Sequence, residues 1–182
     1  MRKLVLILVL LLIATICFLC SCSLGGRGMI FNDDNKKAND RLEQIIAIIN
    51  DKDKEMLKEL FSSKALNDAD DFEENLDKLF GFIQGEINSW EKPSGPTVFE
   101  SNNYGHRTKQ VNSYYYVMTE KQKIFFLIRD FPVDTDNPDN VGLYLLLAVR
   151  AENEEKIYDA DQKVLYDGEE KLSRAGIYIP FD

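Results

Sequence analysis

A chain of 182 residues with a formal net charge of −9 has single-domain length, and an acidic surface of that kind repels nucleic-acid phosphates and anionic lipid headgroups. Its single histidine excludes multi-histidine zinc and iron sites. All three cysteines fall at or before position 22, so the rest of the chain has no disulfide, free thiol or thiolate metal site.

Arg2 and Lys3 form a positive start, and Leu4 to Leu19 is apolar apart from Thr15. That run is shorter than the roughly 20 residues a spanning helix needs and has the layout of a secretory signal. It ends in Leu19-Cys20-Ser21-Cys22, which resembles the lipobox of bacterial lipoproteins: Leu at −3, a small residue at −1 and Cys at +1. Cys20 fits less well, because Leu19 and Cys17 would then take those two positions. The expectation is a signal peptide over residues 1–21 and a lipidated, palmitate-bearing Cys22 heading a mature chain of 161 residues with net charge −11. Two or more acyl chains make such attachment stable where one is marginal. The protein would then sit on the outer face of the bacterial cytoplasmic membrane, tethered by Cys22. An uncleaved span is the rival reading, but the segment is short and no basic stop-transfer cluster follows it apart from the lone Arg27.

Residues 22–32 read as the lipidated cysteine and a flexible tether, and residues 33–182 as a single α+β domain. Gly25-Gly26-Arg27-Gly28 lacks the strand and the Gly-Lys-Ser/Thr ending of a phosphate loop. A first helix is expected from Asp33 to Ile49, with Ala38, Leu42, Ile45, Ile46 and Ile49 as one apolar stripe. A second, capped by Asp51 or Asp53, should run to about Lys64 with Leu57, Leu60 and Phe61 inward. Asp70 and Glu73 approximate a capping box for a third, which carries Phe72, Leu76, Leu79, Phe80 and Ile83 and stops at Gly85.

After Gly85 the period changes to two. Strands are expected at Glu86–Glu91, Thr97–Glu100, Arg107–Thr119, Gln122–Val133 and Val141–Arg150, with a loop over Ser101–Gly105 and a long turn over Asp134–Asn140. The short links suggest a consecutive antiparallel meander. A further strand is read at Val164-Leu165-Tyr166 before an Asp167-Gly168 turn, and the apolar Ile177–Phe181 end is expected to dock on the body.

Helices followed by a curved meander suggest a cone in which a helix packs against the sheet's concave side. Residues Ile48 to Ser62, with the break Asn50-Asp51-Lys52-Asp53, resemble the opening of the nuclear transport factor 2-like (cystatin-like) superfamily. Together with the lipobox, Asn140-Val141-Gly142-Leu143-Tyr144 and Gly176-Ile177-Tyr178-Ile179-Pro180, they resemble a family of bacterial lipoproteins known only as domain of unknown function 5104. The resemblance implies N-terminal helices packed on a curved antiparallel sheet, and a cell-surface address, without an activity. Enzymes of that superfamily use a cavity Asp or His as general base beside a Tyr, and the resemblance casts Asp130 with Tyr116 or Tyr144 in those roles. No second carboxylate, histidine or amide at matched spacing supports it.

His106 reads as a surface or rim residue. Asp134, Asp136 and Asp139 fail the calcium-loop pattern because Pro138 takes the fifth position, so a polar turn is expected. Alternation puts Tyr114 and Tyr116 on one face of their strand and Tyr115 and Val117 on the other. One set must face the helices; the other packs under the C-terminal tail, faces water or forms a homodimer contact. The residues expected to rim a ligand site are Trp90, Tyr114, Tyr116 and Tyr144, with Arg129 and Asp130, because tyrosines offer flat apolar area with a hydrogen-bonding tip. The functional expectation is a non-enzymatic surface module for a small ligand or an envelope protein, with no catalytic residue, cofactor or metal. An enzyme using the cone's cavity and a dimerising module are the alternatives.

Overall fold

Among the described residues four helices come first and six strands follow, as the switch in apolar period from 3.6 to 2 requires. The computed structural model describes residues 26–158 and 174–180. The packing described below is that of the unit formed within residues 37–182. Helix α1 (Gly26–Asn50) begins at Gly26, inside the stretch expected to be a flexible tether. Its apolar stripe is buried as expected at Ala38, Leu42, Ile45 and Ile49; Ile48 joins it and Ile46 stays half-buried. The helix ends in a Schellman turn. Lys52 sits at φ +58, its N–H donates to Ile49 O at 3.1 Å, and the Asp53 N–H donates to Ile48 O at 3.1 Å.

The expected second helix is two helices. Asp53 caps α2 (Lys54–Glu59) by accepting from the Met56 N–H at 3.0 Å. The chain then leaves helical geometry to pair with a strand: the Ser62 N–H donates to Leu143 O, and the Leu143 N–H to Leu60 O, each at 2.9 Å. Ser62 next caps α3 (Ser63–Asp68), its Oγ accepting from the Ala65 N–H at 3.0 Å. Two sheet bonds and a cap thus replace the helical bonds that Leu60–Ser62 gives up. In α4 (Phe72–Phe82) the Asp70–Glu73 capping box does not form. Asp71 is the N-cap, at φ +50 and without a side-chain cap bond, while Asp70 O accepts from Asn75 Nδ2 at 3.3 Å.

Strands β1 (Ser89–Glu91) and β2 (Thr97–Asn103) both pair with β3 (His106–Met118), on the edge opposite β4 (Lys123–Asp134). The turn with Pro93 and Pro96 separates them, since proline gives no ladder donor. The expected Ser101–Gly105 loop shrinks to Tyr104-Gly105, because β2 pairs through Asn103. Both turn residues have positive φ, +49 and +92, as a type I′ hairpin demands. Strand β5 (Gly142–Arg150) pairs antiparallel with β4. The sheet is nonetheless mixed and not a pure meander: β6 (Gly176–Tyr178) runs parallel to β5. Parallel pairing needs a long return, and residues 151–175 supply its length. Ile177 is buried and Ile179 packs against the main core, so the described part of the apolar C-terminal segment docks on the body as expected, while Phe181 lies outside the described residues. The strand read at Val164–Tyr166 and the Asp167-Gly168 turn lie outside the described residues, as does Cys22.

The sheet buries both faces. On the inner face Tyr115, Val117, Ile124, Phe126, Ile128, Leu146 and Ala148 join the helices in the main core. On the outer face Phe125, Leu127, Leu145, Leu147 and Val149 form a second cluster, closed at one end by Ile157 of the 3₁₀ segment Ala151–Ile157. The fold is α+β, helices first and a curved open sheet after.

Candidate functional site

The alternation in β3 separates the tyrosines as expected. Tyr115 is fully buried against the helices, its hydroxyl donating to Asn39 Oδ1 at 3.1 Å. Tyr114 and Tyr116 lie on the outer face, partly buried with Tyr144, Tyr158 and Tyr178 around the apolar cluster. This set therefore packs beneath the Ala151–Tyr158 segment.

Arg129 pairs in register with Asn112, so it shares the outer face with Tyr114. Its Nε donates to Asn112 Oδ1 at 3.2 Å. Among the described residues no carboxylate meets it, and neither Nη atom has a protein partner. Burial pushes the guanidinium down from its ordinary value, and the charge that Tyr144 and Tyr114 carry when ionised works against it. A β-bulge explains why Tyr144 is there. The β4–β5 register jumps from Arg129–Leu145 to Asp130–Leu143, leaving Tyr144 as the extra residue. Its ring meets Phe131 edge-on, centroids 5.6 Å apart at 74°.

At the other end of this face the Tyr116 hydroxyl donates to Glu154, and Lys123 Nζ lies 4.2 Å above the Tyr116 ring. The Glu154 contact lifts Tyr116 to about 12, and burial lifts Tyr158 to about 12. Both hydroxyls are neutral donors at any physiological pH. Near Arg129 the arrangement is one half-buried cation beside Tyr114 and Tyr144, with two Nη atoms that have no protein partner among the described residues. That suits a planar carboxylate, which a guanidinium holds through paired hydrogen bonds.

The six expected ligand residues do not rim one pocket. Tyr114, Tyr116, Tyr144 and Arg129 gather about the outer face. Trp90, opposite Val117, is on the inner face, edge-on to Tyr115 with centroids 5.5 Å apart at 89°. Asp130, next in sequence to Arg129, points the other way because strand side chains alternate. It lies beneath α1, where Arg41 Nη2 is 3.3 Å from Oδ1 and 3.5 Å from Oδ2. Only the longer contact has hydrogen-bond geometry, so Oδ1 is buried without a hydrogen-bond partner. Burial raises the Asp130 carboxyl above the ordinary range and Arg41 only partly offsets it. Tyr116 is on the far side of the sheet, so the Asp130–Tyr116 acid–base pair suggested by resemblance is not assembled.

His106 is exposed, its Nδ1 2.5 Å from Asp136 Oδ1. Asp134 accepts from the N–H groups of Asp136 and Asn137, at 3.2 and 2.9 Å, and from Asn140 Nδ2 at 3.0 Å, so the acidic turn satisfies itself. Among the described residues no three His, Cys, Asp or Glu side chains are placed to hold a metal, and no helix is long and apolar enough to cross a membrane. Sequence reading missed Arg41, Glu154 and Tyr158. Arg41 lies off the apolar stripe of its helix, and the Glu154–Tyr158 segment carries no periodic signal.

A comparison with curated proteins gives no match. The family described as Domain of unknown function (DUF5104) matches residues 44–151, a span that holds Tyr114, Tyr116, Arg129 and Tyr144, and the chain belongs to that family.

Proposed function

We propose that this protein is a bacterial surface lipoprotein, anchored through lipid on Cys22, whose domain is a non-enzymatic binding module for a small organic acid. The domain is a nuclear transport factor 2-like cone that presents its ligand site on the outer face of the sheet. Arg129 takes the ligand's carboxylate on its Nη atoms, and Tyr114 and Tyr144 flank the ligand's body. The supporting observation is Arg129 itself: a half-buried guanidinium with one neutral acceptor and no carboxylate among the described residues. Removing a charge from water without a counter-charge costs free energy, and a ligand that supplies the counter-charge recovers it. Other cations that lack a carboxylate among the described residues, such as Lys52 and Arg150, are exposed, whereas Arg129 is half-buried.

Calorimetric titration of benzoate into the wild type and Arg129→Met tests this reading. Saturable binding to the wild type and at least a tenfold loss in the variant are expected. Equal affinity in both would refute the Arg129 site.

A further inference from the structure

We propose a second small-molecule site, independent of Arg129, in the cleft where α1 breaks into α2 beside the end of α4: it takes an amphipathic organic anion, an apolar chain ending in a carboxylate. The cleft encloses about 480 Å³, within the usual range for ligand sites of roughly 300–1,000 Å³. Its apolar lining is Ile49, Phe80 and Ile83, and Lys52 and Lys54 stand at its mouth with Glu86.

The polar groups here are committed or open in a telling pattern. Asn50 is used up: its Nδ2 donates to Ile87 O and its Oδ1 accepts from the Ile87 N–H, both at 2.9 Å. Two helix ends converge on the cleft, and their negative poles would oppose an anion. Local bonds quiet both. The Schellman turn takes Ile48 O and Ile49 O, and Gln122 Nε2 donates to Phe82 O at 3.0 Å. Lys54 bridges to Asp77 at 2.6 Å with its ammonium 5.8 Å from the Phe80 ring centroid, an exposed pair that shares readily. Lys52 is exposed, and among the described residues its ammonium makes no ion pair or hydrogen bond.

Lys52 is also the residue whose backbone is strained. At φ +58 it fills the left-handed position of the Schellman turn, where glycine carries no penalty. A non-glycine residue in such a conformation at the mouth of a cleft points to a side chain kept for use. Glu86 and Asp77 balance Lys52 and Lys54 in number, but Lys54 is bound to Asp77, which leaves the Lys52 ammonium as the group at the mouth to meet a carboxylate while the Ile49–Phe80–Ile83 lining receives an alkyl chain.

Lys52→Gly separates this reading from a structural one, because the variant relieves strain and removes the ammonium together. The probe is octanoate, titrated into the full-length protein with methyl resonances and calorimetry as readouts. The expected results are a Tm raised by roughly 2–4 °C without octanoate, an octanoate affinity weakened about tenfold in Lys52→Gly, and affinity retained in Lys52→Arg. In the wild type the Ile49 and Ile83 methyls should shift on titration. Octanoate that fails to bind, that binds Lys52→Gly as tightly as wild type, or that shifts the Leu127 and Leu145 methyls of the outer face instead, overturns the proposal.

Discussion

Replacing Arg129 by methionine should make the folded domain more stable. The side chain is half-buried on the outer face, and burial pushes its guanidinium down because no carboxylate answers it among the described residues. Exchanging a poorly compensated buried charge for an apolar side chain of similar volume is neutral to stabilising, by up to about 1–4 kcal/mol. Two terms set the result toward the low end. Arg129 keeps partial access to water, and the substitution forfeits the 3.2 Å bond to Asn112, worth about 1 kcal/mol. Asn112 Oδ1 is not orphaned, because Gln110 Nε2 still donates to it at 3.1 Å. Methionine's flexible body fills the space among Tyr114, Leu127 and Leu145. The net expectation is a gain of about 1 kcal/mol, or roughly 2–4 °C in Tm. Urea unfolding with unchanged m-value measures it. A loss of more than about 1 kcal/mol would show that Arg129 is a structural member of the face and is not held there at a cost for a ligand.

Gly142 sits at φ +130, and a Cβ there would meet Ser62 N at 3.1 Å, Leu60 O at 3.2 Å and Ser62 Cα at 3.3 Å, so Gly142→Ala should lose about 2–3 kcal/mol by chemical denaturation. Gly105→Ala, at φ +92 with nothing within 4 Å of the new Cβ, should lose only about 1 kcal/mol; equal losses would mean that the docking of Leu60–Ser62 on β5 is looser than described. Asp130 has a raised folded-state pKa, so the folded chain holds its proton more tightly than the unfolded one. Its contribution is complete below the unfolded value and is lost as pH rises through the folded one; the stability of wild type relative to Asp130→Asn should therefore fall from about pH 4 upward, and a rising difference would contradict the burial argument. Radiolabelled palmitate should enter the wild type and not Cys22→Ser; labelling that survives would refute the anchor assignment.

The helices and the central strands were legible because burial selects a period. The stripes at Leu42–Ile45–Ile49 and Leu76–Leu79–Ile83 are buried as their spacing demands. The alternation through Tyr114–Val117 likewise separates two faces. Departures occur where a distant partner overrides a local pattern. Nothing near Leu60–Ser62 says that Leu143 will claim its backbone, and only glycine at 142, open enough to let the two chains approach, hints at it. The parallel addition of β6 is likewise a long-range pairing without a local mark. The candidate site was half legible. Residue types picked out Arg129 and the tyrosines, but grouping Asp130 and Trp90 with them ignored the alternation already used to separate the tyrosines. The β4–β5 bulge beside Tyr144 has no sequence signature.

The central claim is that Arg129 waits for a carboxylate. Following the Arg129 Nε–Hε cross-peak of ¹⁵N-labelled protein during a benzoate titration tests it most directly. A saturable shift of that peak, accompanied by the ring resonances of Tyr114 and Tyr144, is predicted. An Arg129 peak that stays in place while benzoate moves other resonances, or none at all, would contradict it.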